Sequence, residues 1–177
     1  QFLKAKQGRS LINYGTSASQ VAARSLVFGA PLPEGAILPK SGPSTQQPAT
    51  PEQIQDILKR LREELDAGGL AIGMGIQYTP GATRLEVIDM FRLAAERRLP
   101  VYTHVRSSGR IEPGSSIEAV GEVIAAAAIT GASLHIVHIN STCSPASMEC
   151  LSMIEGARAR GLDVTTEAYP YTAGLTA

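Results

Sequence analysis

The chain has 177 residues, enough for one domain with a real core. Apolar residues make up 44% and charged residues 18%, and sixteen basic side chains cancel sixteen acidic ones. That balance argues against nucleic acid as a partner, which needs a concentrated positive surface. No apolar run approaches the ~20 residues that span a bilayer, so no membrane partner is expected, and residues 1–6 do not build a secretory signal.

In chain order, residues 11–14 read as a short strand and residues 19–28 as a helix ended by Gly29. Residues 30–49 are rich in Pro, Gly, Ser and Gln and read as a long loop, which in a compact domain is often functional. Thr50-Pro51-Glu52-Gln53 caps a helix with Ile54, Ile57, Leu58, Leu61 and Leu65 on one face. After Gly68-Gly69, residues 70–74 form an apolar run that reads as a buried strand. Tyr78-Thr79-Pro80-Gly81 makes a turn, and Thr83-Arg84-Leu85-Glu86 is a capping box for a helix presenting Leu85, Ile88, Phe91 and Ala95.

The pattern then recurs. A strand at Val101-Tyr102-Thr103-His104 precedes a second capping box, Ser115-Ser116-Ile117-Glu118, and an Ala-rich helix stopped by Gly131. Residues 133–138 read as the next strand. Ser144-Pro145 supplies an N-cap and a first-turn Pro for a helix striped by Met148, Leu151, Ile154 and Ala157. Gly161 closes it, and residues 162–166 are the following strand. Strand starts recur about every thirty residues, as a βαβ crossover requires, so the strands should be parallel, about five in all. An eight-stranded (β/α) barrel takes about 250 residues. The expected fold class is therefore α/β: a small open sheet, or most of a barrel without its ends.

In such folds the carboxyl ends of the strands carry the chemistry. His104 and His138 stand at two successive strand ends. Each is either a metal ligand or general base, or a strand-end histidine bonded to a backbone carbonyl. The pairing on neighbouring strands favours the first, because imidazoles placed there can converge on one metal ion. By strand alternation His135 should face away from His138, toward the outer helices, as a packed or hydrogen-bonded core histidine. Arg106 shares the parity of His104, and its planar fork suits a substrate carboxylate or a salt bridge. Tyr169 and Tyr171 flank Pro170; a phenol there can donate to an oxyanion or pack in the core. Glu167 reads as a solvated carboxylate rather than a partner of an imidazole. Cys143, with no base identified for it, is not expected to be a nucleophile. The two cysteines, Cys143 and Cys150, read as reduced thiols of a cytoplasmic protein. Gly73-Met74-Gly75 lacks the Lys-Ser/Thr of a phosphate loop.

Four strings, in order, resemble the N-acyl-D-amino-acid deacylases (D-aminoacylase and D-glutamate deacylase) of the amidohydrolase superfamily. They are Gly68-Gly69-Leu70-Ala71-Ile72-Gly73-Met74-Gly75-Ile76-Gln77-Tyr78-Thr79-Pro80-Gly81, Tyr102-Thr103-His104-Val105-Arg106, Ile136-Val137-His138-Ile139-Asn140 and Thr166-Glu167-Ala168-Tyr169-Pro170-Tyr171-Thr172-Ala173-Gly174. The resemblance implies that residues 1–177 are part of one metal-dependent (β/α)₈ catalytic domain, covering about its third to seventh strands. It implies Zn²⁺ as cofactor, His104 and His138 as its ligands, and Tyr169 as a contact to the scissile carbonyl or tetrahedral intermediate. Arg106 would hold the substrate carboxylate. The family's His-x-His, its Cys ligand and its catalytic Asp have no counterparts here. Asn140 stands where the family commonly has Lys, and Gly73-Met74 where it has Ser-Thr.

The expected activity is zinc-dependent hydrolysis of the amide of a small N-acyl-D-amino acid, N-acyl-D-glutamate among the candidates. The segment alone should be inactive or nearly so, and exposed sheet edges should invite self-association. The alternatives are a cyclic-amide hydrolase of the dihydroorotase or hydantoinase type and a non-catalytic βα-repeat binding module.

Overall fold

The computed structural model describes residues 7–39 and 41–173. The readings of residues 1–6 and of Gly174 lie outside the described residues. Among the described residues five strands form one parallel sheet in sequential order: β1 (Ala18–Ser19), β2 (Ile72–Gly75), β3 (Val101–His104), β4 (Leu134–Ile136) and β5 (Val164–Thr166). Between them run α1 (Gln20–Val27), α2 (Pro43–Gln46), α3 (Pro51–Asp66), α4 (Arg84–Arg97), α5 (Ser116–Thr130), the short α6 (Ile139–Thr142) and α7 (Ser147–Ala159). A 3₁₀ turn, Ile76–Tyr78, follows β2 directly. Among the described residues no helix is long and apolar enough to cross a membrane.

The helices start where local chemistry tells them to. Thr50 and Ser115 each close a full capping box, with Gln53 and Glu118 respectively, and Ser19 caps α1 through the backbone N–H of Ala22. Gly29 and Gly131 take positive φ, at 70° and 74°, where α1 and α5 end. Thr83 completes only half of its expected box. Its hydroxyl accepts from the Glu86 N–H, but the Glu86 carboxylate turns inward to Arg24 and Gln20.

Strand alternation separates two faces. Ile72, Met74, Val101, Thr103, Leu134, Ile136 and Val164 point into the helix layer and are buried with Ile57, Leu61, Phe91 and Val120 in one core. The opposite face carries Gly73, Tyr102, His135 and Thr165 in one lateral row, with Gly75 and His104 paired further along toward the carboxyl ends. Among the described residues no helix covers that face, and Tyr102 is 43% exposed.

Several expectations shift. Residues 11–14 form no strand; the first strand is β1, at 18–19, because that is where the chain meets Ile72 and Gly73. The buried face of α4 is Val87, Met90, Phe91 and Ala94, while Leu85 is 68% exposed. On α7 the buried residues are Cys150, Ile154 and Ala157, with Met148 exposed. That helix begins at Ser147 without a side-chain cap, because residues 144–145 belong to the preceding turn. The long loop is interrupted by α2 and pinned from below. Arg24, fully buried, donates to the carbonyls of Ser44 and Gln47 and pairs with Glu86. Gly81 presses on the same loop, donating to the Thr45 carbonyl at 2.7 Å, and a Cβ there would sit 2.4 Å from the Gln46 backbone.

Candidate metal centre

The carboxyl ends of β2, β3 and β4 open onto a cleft of about 660 Å³ lined by Tyr78, His104, His138, Ser141, Tyr169 and Tyr171 among others. His104 ends β3. Its ring meets the His138 ring edge to face, with centroids 4.9 Å apart and planes at 86°. Tyr78 closes on its other side at 5.2 Å, also edge to face. The neighbouring strand makes room for this. A Cβ on Gly75 would lie 3.0 Å from the Tyr78 ring and 3.3 Å from Val21.

His138 reaches the cleft by a different route. β4 stops at Ile136, and His138 adopts φ 39° and ψ 57°, a left-handed conformation. Such a conformation at a residue other than glycine costs about 1–3 kcal/mol and persists only where its surroundings over-determine it. Here they do. The Glu167 carboxylate accepts from the His138 N–H, and the His138 carbonyl accepts from the N–H groups of Ser141 at 3.0 Å and Thr142 at 3.2 Å.

This break overturns the assignment of His135. Alternation does not extend across a left-handed residue, so His135 and His138 need not face opposite ways. His135 lies on the same uncovered sheet face as His104, with Nδ1 2.8 Å from the Thr165 hydroxyl and Nε2 on the Glu167 carboxylate. It is not packed against the helices. Glu167 is likewise not merely solvated. About half of its side chain is exposed, yet both of its oxygens are engaged, one by His135 and one by His138. Burial works against its charge, but the hydrogen bonds from the His135 ring and the His138 N–H outweigh it and hold the carboxyl below its ordinary range.

Tyr169 also lines the cleft, its ring 6.4 Å from that of His138. Asn140 fixes its backbone reciprocally, donating to the Tyr169 carbonyl at 3.1 Å and accepting from the Tyr169 N–H at 3.3 Å. Arg106 is placed elsewhere. Its Nε and Nη2 clasp the Glu122 carboxylate at 2.8 and 2.7 Å, and Nη1 donates to the Pro80 carbonyl at 2.9 Å. Strand parity stops at His104, where β3 ends, so the guanidinium braces α5 against the Pro80 turn instead of lining the cleft. Cys143 is fully buried, and burial and the neighbouring Cys150 push its thiol up to about 12.

The pair His104–His138 suits a metal ion as part of a donor set. Burial first, and the neighbouring His138 second, hold the His104 imidazole below its ordinary range, which keeps it in the neutral form that ligates. Its Nδ1 is buried and has no hydrogen-bond partner. Two nitrogen donors are one short of the three protein ligands of a usual catalytic zinc site. Among the described residues no third His, Cys, Asp or Glu stands in position to complete a ligand cluster.

A one-sided parallel βα sheet with imidazoles at adjacent strand ends fits part of a (β/α) barrel, and the solved structures it resembles include amidohydrolases. N-acyl-D-glutamate deacylase from Bordetella bronchiseptica, solved with zinc and a phosphonate that mimics the tetrahedral intermediate, superposes on 96% of this chain with a TM-score of 0.72 and 26% identity. The match occupies 33% of that protein's chain. A D-aminoacylase structure matches 73% of this chain at 28% identity with a TM-score of 0.63, over 27% of its own chain. Among curated proteins, N-acyl-D-glutamate deacylase of Alcaligenes xylosoxydans xylosoxydans is 33% identical over 137 residues, 73% of this chain. D-aminoacylase of the same organism is 31% identical over 139 residues, 76% of this chain. No family model matches. The chain is thus similar to the N-acyl-D-amino-acid deacylases of the amidohydrolase superfamily. It spans 27% and 28% of the length of those two curated relatives. A D-hydantoinase, 18% identical with a TM-score of 0.52, shares the fold.

Proposed function

We propose that this chain is part of the catalytic (β/α)₈ domain of a zinc-dependent amide hydrolase acting on an N-acyl-D-amino acid, and that it contributes His104 and His138 to the metal site. The observation that carries this reading is the pair of imidazoles, ring centroids 4.9 Å apart, opening onto one cleft from the end of β3 and the turn just past β4. Zinc held there would supply Lewis-acid polarisation of the acyl carbonyl and a water acidified to ~7.

The chain's own residues do the rest of what this part can do. His104, shielded by Tyr78 and partly buried, stays neutral and keeps a lone pair available. Tyr169, its backbone held by Asn140, presents a phenol that donates to the oxygen on which charge develops. The aromatic walls Tyr78, Tyr169 and Tyr171 exclude water from one side of a small acyl substrate. Arg106 braces the Pro80 turn that follows Tyr78. No Asp or Glu among the described residues lines the cleft, so the proton transfer needs a carboxylate from outside them. This supports an inactive or nearly inactive segment. The free, buried cysteines suit a reducing, cytoplasmic setting.

Calorimetric titration of the chain with Zn²⁺ tests the assignment. One zinc per chain in the wild type, with affinity lost in His104→Ala and in His138→Ala, is expected. Unchanged binding in either variant removes that residue from the site.

A further inference from the structure

Packed barrels fill their interior with bulky branched apolar side chains, but the row beneath this site is polar. Tyr102, His135 and Thr165 pair across β3, β4 and β5. The His135 ring is fixed on three sides: Tyr102 lies against it with centroids 4.8 Å apart, the Thr165 hydroxyl sits 2.8 Å from Nδ1, and Glu167 takes Nε2. With the proton on Nε2, the ring donates to Glu167 and accepts from Thr165. Glu167 lies just beyond the end of β5, about half exposed, and would be free to change rotamer without that donor. Its second oxygen is the acceptor that holds the N–H of His138.

We infer that His135 is a positioning residue for the metal centre: through Glu167 it holds His138 in the left-handed conformation that turns its imidazole toward His104. The order of support runs from the Thr165 hydroxyl to the His135 ring, then to the Glu167 carboxylate, then to the His138 backbone. It rests on the reading of His138 as a metal ligand, and it reaches that ligand through a hydrogen bond to its backbone N–H, with the same Glu167 oxygen 3.7 Å from the ring Nδ1. The chain therefore uses its third histidine for geometry and its other two for ligation.

The test is His135→Phe in the full 177-residue chain. The substitution keeps an aromatic ring against Tyr102 and removes both nitrogens. Two readouts are followed, the NMR amide and Cα shifts of His138 without metal, and the Zn²⁺ affinity by calorimetry. The expected result is a moved His138 amide, a Cα shift no longer that of a left-handed residue, and affinity lower by about tenfold or more. His135→Gln, which restores a donor to Glu167, should recover most of both. Should His135→Phe not fold, Thr165→Val removes only the hydroxyl against Nδ1 and should move the same signals less far. A changed melting temperature with His138 shifts and zinc affinity unaltered overturns the inference. A wild-type chain that binds no zinc contradicts the metal reading instead, and the His138 shifts alone then decide the positioning contact.

Discussion

The Cys143 thiol sits one residue past α6, buried, with the Thr142 hydroxyl 3.9 Å from its sulfur and Cys150 as a neighbour, and this sets its chemistry. A thiol raised from 9.0 to about 12 stays protonated in the folded chain at neutral pH. Neither cysteine should react with an aromatic disulfide reagent at pH 8 until denaturant is added; rapid native labelling would contradict the burial. The sign of the linkage follows from the raised value. The stabilising contribution is complete below pH 9.0 and is lost as pH rises toward about 12, so the urea midpoint should fall across that interval. At this scale His104 and His138 are legible in the sequence because each ends an apolar β-branched run. His135 is not, because its facing depends on where β4 stops. The left-handed turn at His138 has no glycine to announce it.

Helix caps and the βα rhythm depend on residues within four positions of one another, and Thr50 and Ser115 carry them plainly. The tie between α1 and α4 depends on Arg24 and Glu86, 62 positions apart, and no local pattern marks it. Both side chains are fully buried, so removing one partner leaves an uncompensated charge. Glu86→Leu should lower unfolding free energy by about 3–5 kcal/mol, read from urea denaturation. The double variant Arg24→Met, Glu86→Leu should lose much less. Equal losses in the two would show that the charge is not the cause. The same contact explains why Thr83 has only half a capping box: the Glu86 carboxylate is already engaged. Arg106 gives a parallel case. Arg106→Lys gives up one of two bonds to Glu122 and should cost about 1–3 kcal/mol with zinc affinity nearly intact. A large loss of zinc affinity would place it at the site after all.

At the largest scale, the described residues form a sheet whose helices lie on one face only. The parallel order follows from the thirty-residue spacing, but the uncovered face and its polar row become visible only once the strands are in register. β1 and β5 are the outer strands of that sheet, and their unpaired edges should make the isolated chain associate in a concentration-dependent way, measurable by sedimentation. Among the described residues the cleft lining supplies two imidazoles and three phenols but no carboxylate, so turnover of N-acyl-D-glutamate by this segment should be absent even with zinc added. The most direct measurement is X-ray absorption on the zinc-loaded chain. Two imidazole nitrogens at about 2.0–2.1 Å from the metal, falling to one in His104→Ala and in His138→Ala, are the result the geometry predicts. A zinc shell with no imidazole scattering, or one unchanged by either substitution, would contradict it.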